Sequence, residues 1–188
     1  KRGGKGSQGM ATRDEDFVEQ IFGASTHDTI LIFTTWGKVY WQRVYEIPEG
    51  GRATRGKAIN NLIQLSSNEK VAAILPITAF TDDEFLLFVT KTGTVKKTAL
   101  SAYANERAGG IIAITLKDDE LIQVRVTNGK QDVIISTAEG QAIRFSEEDV
   151  RSMGRGAAGV RGIMIGKDDF VVGMDVVDPG KTILTVSE

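Results

Sequence analysis

The sequence predicts an all-β, propeller-like protein built from a repeated four-stranded unit. Short apolar strands recur about every eight to twelve residues along the 188-residue chain, which is the spacing of sandwiches, barrels and propellers. The turn glycines Gly37, Gly93 and Gly140 lie about 50 residues apart, a period typical of propeller repeats. No stretch keeps a helical period over three turns, and only Glu147–Met153 is expected to form one short helical turn.

Each repeat is predicted to open with an apolar hairpin. Glycine at the turn supplies the positive φ that tight hairpin turns need. The second strand of each hairpin carries cations among its apolar residues. The predicted first strands are Ile30–Thr35, Phe85–Thr90, Val133–Thr137 and Thr182–Ser187, and the second strands are Lys38–Trp41, Val95–Lys97 and Ala142–Phe145.

The second half of each repeat adds two more predicted strands. The third strands are Leu62–Leu65, Ile111–Leu116 and Ile163–Ile165, and the fourth strands are Phe17–Phe22, Val71–Ile77, Leu121–Val126 and Phe170–Val177. Acidic residues such as Asp118 and Asp168 recur just before each fourth strand. Because Asp and Asn favour turns, we interpret these residues as turn formers and not as metal ligands or acid–base groups.

The phase of the repeats predicts a single domain with open edges at both ends. We divide it into a half blade at 1–26, blades at about 27–80, 81–129 and 130–179, and a trailing strand at 180–188. The content is about three and a half blades of a propeller-like array. We expect Thr182–Ser187 to pair with the incomplete first blade or with another chain.

Composition narrows the chemistry that the chain can perform. It has no cysteine, which excludes disulfides and thiolate metal sites. The single histidine, His27, lies in a predicted turn and cannot build a triad or a two-histidine metal site. The glycine-rich segments do not match a phosphate-binding P-loop, so no nucleotide or other cofactor is expected. With neither a membrane-spanning apolar run nor a signal peptide, the chain is expected to be soluble and cytoplasmic.

The charges are segregated although the net charge is only −2. Cations dominate residues 36–57 and 91–107, and acids gather at 14–16, 82–84, 118–120 and 168–169. One surface can therefore be positive while the whole chain is slightly acidic.

A basic, glycine-rich segment recurs at the same point of every repeat. Its copies are Lys1–Gly6, Arg52–Lys57, Arg107–Gly110 and Arg155–Gly162. Glycine lets backbone N–H groups approach a phosphate, and arginine adds bidentate hydrogen bonds. The periodic cations predict contacts to the backbone of a long polyanion, independent of its base sequence. The three tyrosines, Tyr40, Tyr45 and Tyr103, are instead expected to pack between sheets.

Several strings resemble the C-terminal domain of the DNA gyrase A protein. The opening Lys1–Gly6 is similar to the signature box Gln-Arg-Arg-Gly-Gly-Lys-Gly of that family, without its leading Gln and with Lys1 at the first Arg position. The similarity continues through 26–28, 37–40, 58–62, 93–98, 143–145 and 159–163 and so covers essentially the whole chain.

The resemblance implies a β-pinwheel whose basic rim wraps duplex DNA chirally and presents a segment to the enzyme core for ATP-dependent negative supercoiling. It also implies a non-catalytic domain of a type IIA topoisomerase, with ATP and Mg²⁺ bound elsewhere in a heterotetramer of gyrase A and gyrase B proteins. No membrane contact is expected. The DNA-binding residues carried over by motif are Lys1, Arg2, Gly3, Gly4, Lys5, Gly6, Lys38, Arg43, Arg55, Lys57, Lys96, Lys97, Arg144, Arg155 and Arg161.

Two alternatives stay open at the level of the sequence. The related C-terminal domain of topoisomerase IV shares the fold but lacks an intact box, which Arg2–Gly6 retains. A propeller that serves as a protein-interaction platform would carry aromatic and apolar loops, whereas these loops are rich in arginine and glycine.

Overall fold

The computed structural model describes residues 20–51, 56–180 and 182 as three antiparallel β-sheets. Short 3₁₀ helices are the only helical elements among these residues. The predicted all-β class is confirmed. Within the same residues, no helix is long and apolar enough to cross a membrane.

In the first and second sheets, one of the two edge strands belongs to the following repeat. The first sheet has the order β3-β1-β2-β6, and the second has the order β10-β5-β4-β7. The strands of the first sheet are β1 (Thr29–Thr34), β2 (Lys38–Arg43), β3 (Val71–Ile77) and β6 (Ile111–Ile112); those of the second sheet are β4 (Phe85–Thr90), β5 (Thr94–Ala99), β7 (Leu121–Thr127) and β10 (Val160–Arg161). Adjacent repeats are therefore interlocked through their sheets.

The third sheet has three strands among the described residues. Its order is β11-β8-β9, from β8 (Asp132–Thr137), β9 (Ala142–Ser146) and β11 (Val171–Val177). The hairpin β8–β9 pairs Ile134 with Arg144 across the strands. The central hairpin and fourth strand thus follow the same plan in all three repeats.

The predicted third strands are largely wrong. Residues 62–65 form no strand and follow the 3₁₀ helix Ile59–Asn61, the strand predicted at 111–116 is only two residues long, and 163–165 is not a strand. The reason is that this segment pairs briefly with the preceding repeat and then folds over its hairpin. Ala113 N and Ile114 N both donate to Gly37 O, at 2.8 and 3.2 Å.

Three 3₁₀ helices follow the second strands of successive repeats. They span Val44–Glu46, Leu100–Tyr103 and Glu147–Asp149. Only the last of them was predicted from the sequence, within 147–153. The predicted strands at 17–22 and 182–187 lie mostly outside the described residues, and neither 20–22 nor 182 belongs to a strand.

The core lies between sheets, so a central strand buries both of its faces. Leu86 and Phe88 of β4 belong to the cluster shared with the first sheet, and Leu87 and Val89 belong to the cluster shared with the third. Alternation of side chains across a strand produces this division. All four side chains are fully buried, which explains why β4 is a continuous apolar run.

The turns follow the conformations that the sequence predicted. Gly37, Gly93 and Gly140 have φ of 74°, 86° and 81°. Asp118 and Asp168, which precede fourth strands, also have positive φ, at 50° and 69°. Their neighbours lock the hairpin turns: Asp119 Oδ1 accepts from Thr92 N at 3.0 Å and Asp169 Oδ1 accepts from Glu139 N at 3.0 Å. The acidic residues are turn formers, as interpreted.

Candidate nucleic-acid interface

The basic segment of the third repeat lies directly against β5 of the second sheet. Val160 pairs with Val95 and Arg161 pairs with Thr94. A Cβ on Gly159 would lie 2.5 Å from Val95 O, and one on Gly162 would lie 2.4 Å from Val95 Cγ1. These glycines therefore permit close approach to the neighbouring strand. The sequence had predicted that they permit close approach to a phosphate.

The basic segment of the second repeat occupies the corresponding place on the first sheet. A Cβ on Gly110 would lie 2.8 Å from Tyr40 Cε1, and Ile111 pairs with Val39. Gly162 N and Ile163 N donate to Gly93 O at 2.8 and 3.2 Å, which reproduces the bonds that Ala113 and Ile114 make to Gly37. Consecutive basic segments thus stand in the same geometry relative to their sheets.

Gly109 and Gly156 stand at open positions of the same segments. A Cβ on either glycine would meet no atom within 4 Å. These positions, and not the docked glycines, leave room for a ligand to approach the backbone.

Lys96 and Lys97 are buried, which corrects their assignment as surface DNA contacts. Lys96 is 0% exposed and Lys97 is 6% exposed. Lys96 Nζ donates to Ala113 O at 2.6 Å and also to Arg155 O. Lys97 Nζ donates to Glu147 O at 2.5 Å. Both faces of β5 are covered by neighbouring sheets and loops, so even charged residues on this strand point inward.

Arg43 and Arg144 are at the surface but already have carboxylate partners. Arg43 Nη2 lies 2.5 Å from Glu106 Oε1, and Arg144 Nη2 lies 2.7 Å from Asp132 Oδ2. A phosphate would have to compete with these exposed ion pairs, each of which is worth little in water.

Lys38, Lys57, Arg155 and Arg161 are the remaining predicted cations in the described part of the chain. Lys57 and Arg161 are exposed, and Lys38 and Arg155 are half-buried. None of the four belongs to an ion pair within 4 Å among the described residues. The predicted contacts Lys1, Arg2, Gly3, Gly4, Lys5, Gly6 and Arg55 lie outside the described residues.

Lys38 also has an electrostatic role inside the first sheet. Burial alone would raise the pKa of Glu69, but hydrogen bonds from Thr34 and Ser66 and the charge of Lys38 together lower it. Thr34 Oγ1 donates to Glu69 Oε1 at 2.6 Å. Glu69 is therefore held as a carboxylate next to this lysine.

Arg161 shares a cleft of about 910 Å³ with acidic and apolar residues. Lys91 and Arg161 are its cations, Trp36, Ile163, Met164, Ile165 and Phe170 are apolar, and its carboxylates are Asp118, Asp119, Glu120, Asp168 and Asp169. Arg161 therefore lies among carboxylates, and the predicted separation of cations from acidic residues does not hold at this position.

Two exposed arginines were missing from the predicted set. Arg107 begins the basic segment of the second repeat, and Arg151 lies two residues after the 3₁₀ helix of the third repeat. Arg107 stands in one of the recurring basic segments, which was the signal for it, but it was not among the contacts carried over by motif. No motif in the sequence marked Arg151.

The other residues considered for chemistry were possible metal ligands, His27 and the three tyrosines. Among the described residues, no group of three or more His, Cys, Asp or Glu side chains could hold a metal ion. His27 is exposed in a turn. Tyr40 and Tyr103 are buried as predicted, but Tyr45 is 67% exposed, so the packing prediction is wrong there. Burial raises the pKa of Tyr103, and its hydroxyl donates to Ala113 O at 3.2 Å.

The chain matches the family model described as DNA gyrase C-terminal domain, beta-propeller, over residues 1–24, 28–78, 84–128 and 131–178. It is 53% identical to the DNA gyrase A protein of Halalkalibacterium halodurans over 164 residues, which cover 87% of this chain and 20% of that protein. Identity to the gyrase A protein of Salmonella typhimurium is 44% over 189 residues, covering 100% of this chain and 22% of that protein. The chain thus spans about a fifth of the length of these relatives.

Two solved structures share the architecture. The C-terminal domain of DNA topoisomerase IV superposes with a TM-score of 0.82 and 31% identity, over 91% of this chain and 54% of that chain. The DNA gyrase A C-terminal domain superposes with a TM-score of 0.69 and 28% identity, over 92% of this chain and 56% of that chain. Since the family model matches most of the residues and the sheets interlock from repeat to repeat, the chain belongs to the family of DNA gyrase C-terminal domains.

Proposed function

We propose that this chain binds duplex DNA through the phosphate backbone and wraps it along the outer loops of its repeats. The observation that carries the proposal is the repetition of one docking geometry. The segments that follow Arg107 and Arg155 each rest on the second strand of the preceding repeat, with the same pair of hydrogen bonds to a turn glycine carbonyl. Arginine-bearing loops are thereby held at regular intervals along the molecule.

The physics of DNA bending favours such a row over a single patch. Smoothly bending 20–30 base pairs by tens of degrees costs on the order of 1–6 kcal/mol. Each phosphate that a cation neutralises releases counterions, and this release offsets the bending cost along the whole contact. Lys57, Arg107, Arg151 and Arg155 supply exposed or half-buried cations for these contacts.

In the complete enzyme, we propose the role that its family relatives suggest. The domain would wrap DNA with one handedness and present a segment for ATP-dependent negative supercoiling by a cytoplasmic assembly of gyrase A and gyrase B proteins. This domain would supply no catalytic group and no cofactor site, while ATP and Mg²⁺ would act in other parts of the assembly. The match to named DNA gyrase A proteins supports this role.

A topoisomerase IV role is the second candidate, and one observation favours it. The topoisomerase IV domain superposes with the higher TM-score, 0.82 against 0.69. Identity of 53% and 44% to gyrase A proteins outweighs that likeness, because identity to the topoisomerase IV domain is 31%.

The test is DNA binding as a function of salt, followed by linking-number analysis. The chain would be titrated onto a linear duplex of about 100 base pairs to measure affinity. It would also be bound to a nicked circle, which is then sealed by ligase so that its linking number can be measured. Tight binding with a steep negative salt slope and a shift in linking number supports wrapping. Binding without a shift contradicts chiral wrapping, and no binding at low salt contradicts the DNA interface itself.

A further inference from the structure

Lys96 is a fully buried lysine whose ammonium group is held by carbonyl oxygens of two different repeats. It donates to Ala113 O of its own repeat, at 2.6 Å, and to Arg155 O in the basic segment of the next. Its Nζ also lies 5.4 Å from the centroid of the Phe88 ring. None of the ion pairs among the described residues includes Lys96.

A bond within the repeat occurs in the first and second repeats, whereas the third repeat has the apolar Ile143 at this position; the bond to Arg155 is additional. The residue three positions after the turn glycine is Tyr40 in the first repeat and Lys96 in the second. Tyr40 OH donates to Gln64 O at 3.1 Å, a carbonyl in the segment that corresponds to that of Ala113. A tyrosine therefore satisfies this position without a buried charge.

Burying an ammonium group without a carboxylate is costly unless hydrogen bonds replace its water. At Lys96 that cost is partly offset by strong, charge-assisted bonds to carbonyl oxygens. The second carbonyl belongs to Arg155, which the proposed function places at the DNA. The ammonium group of Lys96 thus holds the backbone of the basic segment at Arg155.

We propose that Lys96 is a positioning residue for DNA binding, which fixes the backbone at Arg155 and thereby the loop from 155 to 161. This inference rests on the proposed function. The loop has other anchors at its far end, where Val160 and Arg161 pair with β5. At its near end, Thr115 Oγ1 donates to Gly156 O at 3.0 Å. Lys96 ties the first residue of the loop to the interior.

The same contact couples DNA binding to protonation of Lys96. Desolvation, together with the charge of Arg155, lowers the pKa of Lys96 to about 8. Among the described residues, Arg155 acts on Lys96 through its charge, and Tyr103 shares the acceptor Ala113 O with it. The raised pKa of Tyr103 keeps that phenol neutral in this range. A phosphate on Arg155 would counter the guanidinium charge and favour protonated Lys96. DNA binding would then take up a proton near pH 8.

The test compares Lys96→Met with Lys97→Met in the 188-residue chain. Both substitutions remove one buried lysine, but only Lys96 holds Arg155 O. Expected results are a roughly tenfold weaker DNA affinity for Lys96→Met, a smaller change for Lys97→Met, and no further loss when Arg155→Gln is added to Lys96→Met. Affinity of the unsubstituted chain should also fall more steeply above about pH 8 than that of Lys96→Met.

Hydrogen exchange gives a readout that needs no DNA. Ala157 N donates to Gly154 O at 3.1 Å across the loop, and its protection should fall in Lys96→Met while that of the β4 amides stays unchanged. Unchanged protection at Ala157, or fully additive losses of affinity with Arg155→Gln, would overturn the inference. Absence of DNA binding by the unsubstituted chain would instead overturn the proposed function, and exchange would still show whether Lys96 holds the loop.

Discussion

Gly159 and Gly156 belong to the same basic segment but have different surroundings. Gly159 has φ of 99°, and a Cβ on it would lie 2.5 Å from Val95 O, whereas Gly156 has open space where a side chain would begin. We expect Gly159→Ala to destabilise the protein by more than about 1 kcal/mol, because both the conformation and the contact oppose a Cβ. Gly156→Ala should be nearly neutral. Urea unfolding of both variants measures the difference, and equal effects would contradict the docking of this segment on β5.

Lys96 gives the molecule a distinct stability profile at alkaline pH. Below about pH 8 it is protonated in the folded and unfolded states, and between about 8 and 10.5 only the unfolded chain keeps the proton. Stability should therefore rise with pH across this window, by up to about 3 kcal/mol relative to Lys96→Met. Urea unfolding of both proteins on either side of pH 8 checks the sign. Parallel pH profiles for the two proteins would show that Lys96 is not perturbed.

At the scale of elements, the aromatic cluster between the first two sheets joins separate repeats. Phe88 of β4 lies 5.6 Å from Phe33 of β1 and 6.3 Å from Tyr103, measured between ring centroids. We expect Phe88→Ala to lower the free energy of unfolding by about 3–5 kcal/mol. Tyr45→Ala is a matched control, since that ring is 67% exposed, and should change stability by less than about 0.5 kcal/mol. Thermal unfolding of both variants decides whether this interface stabilises the fold.

The elements that the sequence predicted well are those with a strong local signal. The first and fourth strands are apolar runs bounded by turn residues, and β3 and β4 have the predicted bounds 71–77 and 85–90. The third strands were predicted poorly because their partners belong to another repeat. Their pairing is decided by a contact between residues such as Gly37 and Ala113, which no local pattern encodes.

At the scale of the whole molecule, salt dependence separates cations that meet DNA from those that only occur in the basic motifs. Each neutralised phosphate contributes about 0.9 to the slope of log affinity against log salt. Lys57→Gln should reduce the magnitude of that slope by about 0.9, because Lys57 is exposed and free of ion pairs among the described residues. Arg144→Gln should reduce it less, since Asp132 already neutralises part of its charge. Equal reductions would argue against a distinct set of contacts.

The sequence by itself determined the fold class, the repeat and the family, because apolar periodicity, turn glycines and the basic box are properties of short segments. It also determined that the acids before fourth strands form turns, as Asp118 and Asp168 show. Only the tertiary structure decided which cations reach the surface. Lys96 and Arg155 were both predicted as DNA contacts, yet one is buried and holds the other by its carbonyl. The physical reason is that both faces of β5 are covered by segments distant in the sequence, such as those at Glu147 and Arg155, which lie 50 and 59 residues from the lysines that they contact.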